Sequence, residues 1–295
     1  MCPPEGSART GKEVNHARIE RAAHQTGWMR ELIAIWGYAQ RNYYLTKRYF
    51  MWEVVWLVYS TMNALTIGFI GVGLGGSPEN TARTTTFLLI GTMVWSYLSM
   101  IFDLLSETVS WERWEGTIEY TFMSPASRTT QLVGMGIYAI VYGMARVIVM
   151  LVAISFFFDL SLASANYLGA AGILAICSIS LVGFGMVAAV MPLLSPEKGQ
   201  QVTSIVTAVL LLISGIYYSV DVLPGWMQPL ASISPVYYAL NGIRNTLLEG
   251  ASFDSQWNNI WPLLIMGLIF PPLGLWLFQR GEHFAKRTGR LKRAG

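Results

Sequence analysis

Charge is scarce in this 295-residue chain: 13% of positions are Asp, Glu, Lys or Arg while 53% are hydrophobic, and ordinary soluble domains carry about 25% charged residues. That balance excludes a conventional water-soluble domain. Cysteine is nearly absent, so Cys2 and Cys177 build no disulfide framework, and Cys177 sits inside an apolar block where it behaves as a small hydrophobe. The three histidines, His16, His24 and His283, all lie near the ends. No apolar block therefore offers a histidine proton relay or a metal-ligand cluster, and neither a catalytic residue nor a metal site is expected. An early apolar run is also missing. The first one begins near Tyr49, after a long polar and basic segment, which argues against a cleavable secretory signal. The net charge of +3 is small and its basic residues gather at the two ends, a pattern that bears on membrane orientation and gives no reason to expect a nucleic-acid partner.

What the chain has in quantity is apolar blocks of about 20 residues, each long enough to cross a hydrocarbon core of about 30 Å. They fall at 51–74, 84–105, 130–158, 167–191, 201–220 and 258–278 and predict six transmembrane helices. An even number of spans puts both termini on one side. Lys47 and Arg48 precede the first block, and Arg280, Lys286, Arg287, Arg290, Lys292 and Arg293 follow the last, so the positive-inside rule predicts cytosolic termini. Residues 1–27 show no apolar periodicity and read as a mobile cytosolic tail, and 281–295 as a basic cytosolic tail. Between tail and first span, residues 28–48 place Trp28, Leu32, Ile35, Trp36, Ala39 and Tyr43 at helical spacing, with Arg30, Glu31, Gln40 and Arg41 elsewhere; this predicts an amphipathic helix in the membrane interface. The segment 221–257 is interrupted by Pro224, Pro229 and Pro235 yet stays partly apolar, and predicts short helices dipping into the outer leaflet.

The inward-facing segment 110–125 is the most informative. Trp111, Trp114, Ile118 and Phe122 follow one helical stripe, and Glu112, Glu115 and Glu119 follow another one position over. An aromatic ridge beside an acidic one fits a docking surface as well as it fits a solvated loop helix. Gly116 inside that pattern costs about 1 kcal/mol relative to Ala and predicts a bend.

The run Glu112-Arg113, Glu115-Gly116-Thr117-Ile118-Glu119 and Pro125 resembles the signature between the second and third spans of type-2 ABC permeases. A second resemblance lies in Ser214-Gly215-Ile216-Tyr217-Tyr218, Leu223-Pro224-Gly225-Trp226 and Ser234-Pro235-Val236-Tyr237-Tyr238-Ala239, which are similar to that family's fifth span and following re-entrant segment. The resemblance runs from about Trp28 to Arg280, most of the chain, and the form of the first motif is closer to the drug and small-lipid exporter branch than to the polysaccharide branch.

The family implies an all-α membrane protein: an interfacial amphipathic helix, a six-span domain over 49–280, a cytosolic coupling helix and re-entrant outer helices after the fifth span. The coupling helix, seated in a cleft of a separate ATPase, would carry Trp111, Glu112, Arg113, Trp114, Glu115, Gly116, Thr117, Glu119 and Pro125. The partners implied are two copies of an ABC ATPase subunit and a second permease chain, most simply a homodimer, within membrane lipid. ATP and Mg would sit on the ATPase and no cofactor on this chain. By the same analogy the second and fifth spans line the substrate path, with Phe87, Met93, Trp95, Tyr97, Thr207, Leu211, Ser214 and Tyr217 as candidate contacts, and Pro224, Trp226, Pro235 and Tyr237 as an outer gate. The expected substrate is an amphipathic small molecule, a drug or a lipid-like compound, moved outward.

Arg146 stands apart, because it falls near the middle of the third block. A cation there costs about 2.5–3.5 kcal/mol on insertion scales and calls for a protein interior, a carboxylate or an aqueous path. An intrabundle ion pair or helix cap and a role on the substrate path or in gating both fit. The string at residues 6–13 nearly spells a phosphate-binding loop, but Glu13 follows Lys12 where a hydroxyl must ligand Mg²⁺, and no strand precedes it. Energy must then come from another chain. The alternatives are export of a lipid-linked glycan or polysaccharide, an ion-coupled carrier or channel without an ATPase, and a membrane enzyme; the last lacks the histidine and paired acidic groups at membrane depth that such chemistry requires.

Overall fold

The computed structural model describes residues 27–124, 126–158 and 165–288, and every regular element among them is helical. Residues 6–13, Cys2, His16, His24 and Pro125 lie outside the described residues, as does the side chain of Phe122. Helix α1 is Gly27–Arg48, α2 Phe50–Leu74, α3 Pro78–Glu115, α4 Ile118–Met123, α5 Arg128–Ser155, α6 Tyr167–Ala188, α7 Val190–Leu194, α8 Pro196–Ile213, α9 Gln228–Ala231, α10 Pro235–Leu248 and α11 Trp257–Arg287. Local chemistry explains several starts: Ser127 and Asn166 accept from the backbone N–H of Thr130 and Gly169 at the heads of α5 and α6, and proline opens α3, α8 and α10.

Five helical stretches are long and apolar enough to cross a membrane: Phe50–Leu74, Pro78–Glu115, Arg128–Ser155, Tyr167–Leu194 and Asp254–Arg287. The element expected at 201–220 departs from this. Its helix, α8, ends at Ile213, and its predominantly apolar part, Gln201–Ile213, spans only about 20 Å at about 1.5 Å per residue. Gly215 then takes a φ of 68°, a left-handed turn that L side chains disfavour, and the chain continues as turns into the short 3-10 helix Val220–Val222. The segment 221–257 is helical in pieces, as its prolines predict. The last helix runs beyond the apolar block at 258–278, through Arg280 to Arg287.

At 38 residues α3 is about 57 Å long, far more than a bilayer core of about 30 Å needs. It is the hub, packing against α2, α5, α6, α8 and α10. Its centre is closed: Tyr97, Leu98, Ile101, Phe102 and Leu105 are all buried. Hydroxyls tie the helices together. Tyr97 meets Ser178 of α6 at 2.7 Å, Ser106 meets Thr203 of α8 at 2.9 Å, and Ser180 donates to the Leu263 carbonyl of α11 at 3.0 Å. α6 and α11 approach at Gly183, where an added Cβ would lie 2.3 Å from the Pro271 nitrogen. The apolar faces of α1 and α2 stay outward, with Trp28, Trp36, Trp52 and Trp56 exposed as expected for residues facing lipid.

Candidate functional site

The far end of α3 breaks at Gly116, whose φ of 74° and N–H to the Arg113 carbonyl form a left-handed cap; α4 then starts in a new direction. The bend that glycine predicts is there. The ridges are not continuous across it, because the turn resets the helical phase. Trp111 and Trp114 remain exposed, their rings edge to face at 6.2 Å, and Tyr120 and Met123 of α4 join them outside while Ile118 turns into the core. Of the three carboxylates only Glu115 and Glu119 face out. Glu112 turns inward with its side chain 4% exposed and pairs with Arg41 of α1 at 2.5 Å. Arg113 is buried beside it, and Thr117 Oγ1 reaches back to the Glu112 carbonyl at 3.5 Å.

A second ionic knot holds α4. The Arg128 Nη1 group donates to the Thr121 carbonyl at 2.9 Å while its Nε reaches Glu282 of α11 at 3.1 Å. Lys286 completes the knot, 2.6 Å from Glu282. Glu31 of α1 accepts from Thr130 and, at 3.3 Å, from Ser127. The exposed aromatic patch therefore stands on a frame of ion pairs, centred on the buried carboxylates of Glu112 and Glu282 and built from α1, α3, α5 and α11. Glu31 and Arg41 were legible in the sequence only as the polar face of the amphipathic helix, and Glu282 was not singled out.

At the other end the expected path residues divide by helical face. α8 runs antiparallel to α3, with Thr203 at Ser106 and the Ile216 carbonyl against Gly91. Phe87 and Trp95 share the Gly91 stripe, which faces α8 with its Thr207 and Leu211 and the turn after it with Ser214; Tyr217 lies beside Thr92. Met93 and Tyr97 turn away. Met93 packs with Leu65, Leu89 and Met150, and Tyr97 faces Ser178, so both belong to the closed core.

Phe87, Ser214 and Tyr237 line one cavity of about 300 Å³. Ser214 shares a 2.8 Å hydrogen bond with Ser234, and Pro235 is buried at the head of α10. Pro224 and Trp226 lie on an exposed turn. Arg244, missed in the sequence, is buried here; its signal is that no other Lys or Arg falls between Lys198 and Arg280.

Arg146 sits between α2, α3 and α5, with Nη2 at 3.3 Å from the Ser60 hydroxyl and Nη1 at 3.6 Å from the Met100 sulfur. No carboxylate pairs with it among the described residues. Glu53 is taken instead by the Tyr142 hydroxyl.

A bundle with five helices long and apolar enough to cross a membrane, and an ion-framed aromatic patch at the far end of α3, has the make-up of a multi-pass membrane protein. The family model described as "ABC-2 type transporter" matches residues 28–248, and the chain belongs to that family. It is similar to the protein named "Probable multidrug ABC transporter permease YbhR" of Escherichia coli (strain K12), 27% identical over 190 residues, 64% of this chain and 48% of the relative. The protein of the same name from Escherichia coli O157:H7 matches equally. The chain thus spans about half the length of the curated relatives it matches.

Proposed function

We propose that this chain is the membrane subunit of an ATP-driven exporter that moves an amphipathic small molecule, a drug or lipid-like compound, out of the cytosol or inner leaflet. The observation that carries this is the patch of Trp111, Trp114, Tyr120 and Met123, exposed beyond the apolar layer yet fixed to three helices by Arg41–Glu112 and Arg128–Glu282. Exposed aromatics on a rigid frame are what a docking partner needs as anchors. An ABC ATPase, in two copies and carrying ATP and Mg, is that partner; a second permease, most simply the same chain, completes the path. The "multidrug" in the relatives' name supports the substrate class.

In this reading α8 is the fifth of six spans. It supports the count that α8 and the turn through Ile216 follow α3 from Ser106 to Gly91, a rise of about 22 Å, so a short helix plus a turn covers most of a bilayer. Both termini then lie in the cytosol with the aromatic patch, 221–257 dips into the outer leaflet, and Pro224, Trp226, Pro235 and Tyr237 form the outer gate. ATP binding closes the ATPase pair, the patch is displaced, and the ionic frame passes the movement to α1, α3, α5 and α11.

Proteoliposomes holding the permease with its ATPase test this against an ion-coupled carrier. Uptake of a fluorescent cationic amphiphile into inside-out vesicles should require ATP and survive collapse of ion gradients. Uptake that follows the gradient and ignores ATP contradicts the proposal.

A further inference from the structure

The cavity at the end opposite the aromatic patch is walled by the start of α3, the turn after α8 and α10. Its volume is at the lower end for small-ligand sites. Its charges come in two signs: Arg83 and Arg244, Asp221 and Glu249.

Arg244 is the unusual member. It is 7% exposed, yet no carboxylate pairs with it among the described residues. Its Nη1 and Nη2 donate to the carbonyls of Gly215 and Ile216 at 2.9 and 2.6 Å, and its guanidinium lies 3.5 Å from the centroid of the Phe87 ring. Those carbonyls are the ones the left-handed turn leaves without helical partners, so they orient the group. They do not neutralise it, and Nε has no hydrogen-bond partner. A buried cation balanced only by dipoles and a ring is costly unless an anion completes it.

We infer that this cavity binds a zwitterionic head group, with its phosphodiester or carboxylate towards Arg244 and Arg83 and its ammonium towards Asp221 and Glu249. Arg83, Asp221 and Glu249 are exposed at the mouth, where a polar head can enter, while Phe87 gives the start of the attached chain an apolar wall. The inference rests on the export reading for its biological use, since it names the polar end of the amphiphile. Head-group binding itself needs no ATP, so the two fail separately.

The test uses the whole transporter, permease with ATPase, in nanodiscs, titrated without nucleotide with glycerophosphoethanolamine and followed by ³¹P line broadening. Saturable binding is expected, weakened about tenfold in Arg83→Gln and in Glu249→Gln. Both residues are exposed, so folding should persist even if Arg244→Gln fails to fold. No saturable binding, or binding in both variants as tight as in the unaltered chain, overturns the inference. A photoreactive head-group analogue of phosphatidylethanolamine then separates the sources. Labelling of α10 without nucleotide identifies a resident lipid head group, labelling only during ATP turnover identifies the transported amphiphile, and labelling in neither state overturns the inference.

Discussion

Glu112 illustrates how a single side chain can look like surface and serve as frame. In sequence it belongs to an acidic series with Glu115 and Glu119, yet its carboxylate is closed off against Arg41, whose own side chain is 37% exposed. Loss of a hydrogen-bonded charged partner costs about 1–3 kcal/mol. Glu112→Ala should therefore lower the thermal midpoint of the purified chain, and Arg41→Ala in the same background should add little, because the partner is already gone. Additive losses would show that the two residues act separately. Glu119 is the contrast. It is exposed, so Glu119→Lys should leave the thermal midpoint unchanged while uncoupling ATP hydrolysis from export; unchanged export would remove it from the docking surface.

Among the elements, α4 is the most dependent on others. Six residues do not sustain a helix, and the Arg128 bond to the Thr121 carbonyl ties α4 to Glu282 on α11. Arg128→Glu should abolish export while sparing basal ATP hydrolysis of the ATPase, and adding Glu282→Arg should restore part of it. Failure of the swap with both single variants folded would mean that position and not charge pairing matters. Packing between α6 and α11 is similarly local. Gly183→Ala puts a methyl group against backbone at 2.3 Å and should destabilise the chain by about 1–3 kcal/mol in a thermal unfolding series.

The long spans were legible because a bilayer demands length and apolarity, and hydropathy reads both. The end of α8 was not. Leu210 to Val222 stays largely apolar in sequence, and what stops the helix is a glycine conformation together with a guanidinium from α10, a partner 28 residues away. The bend at Gly116 was legible from glycine inside a helical pattern. Which carboxylate turns inward after it was not, since that depends on where α1 lies. Met93 and Tyr97 were named as path contacts by family analogy; which face of α3 each occupies was not legible, since it depends on where α2, α5 and α6 pack.

At the scale of the whole molecule, the two ends of α3 do different work. One end carries exposed aromatics on an ionic frame; the other meets a polar cavity where α8 stops short. A helix of about 57 Å connects them, so a tilt imposed at Trp111 and Trp114 arrives at Phe87 with little loss. The most direct test is affinity purification of the chain from its native membrane in mild detergent, with and without Trp111→Ala and Trp114→Ala. A stoichiometric ABC ATPase should accompany the unaltered chain and be lost from the double variant while thermal stability is kept. Reproducible absence of any ATPase from the well-folded unaltered chain would contradict the account.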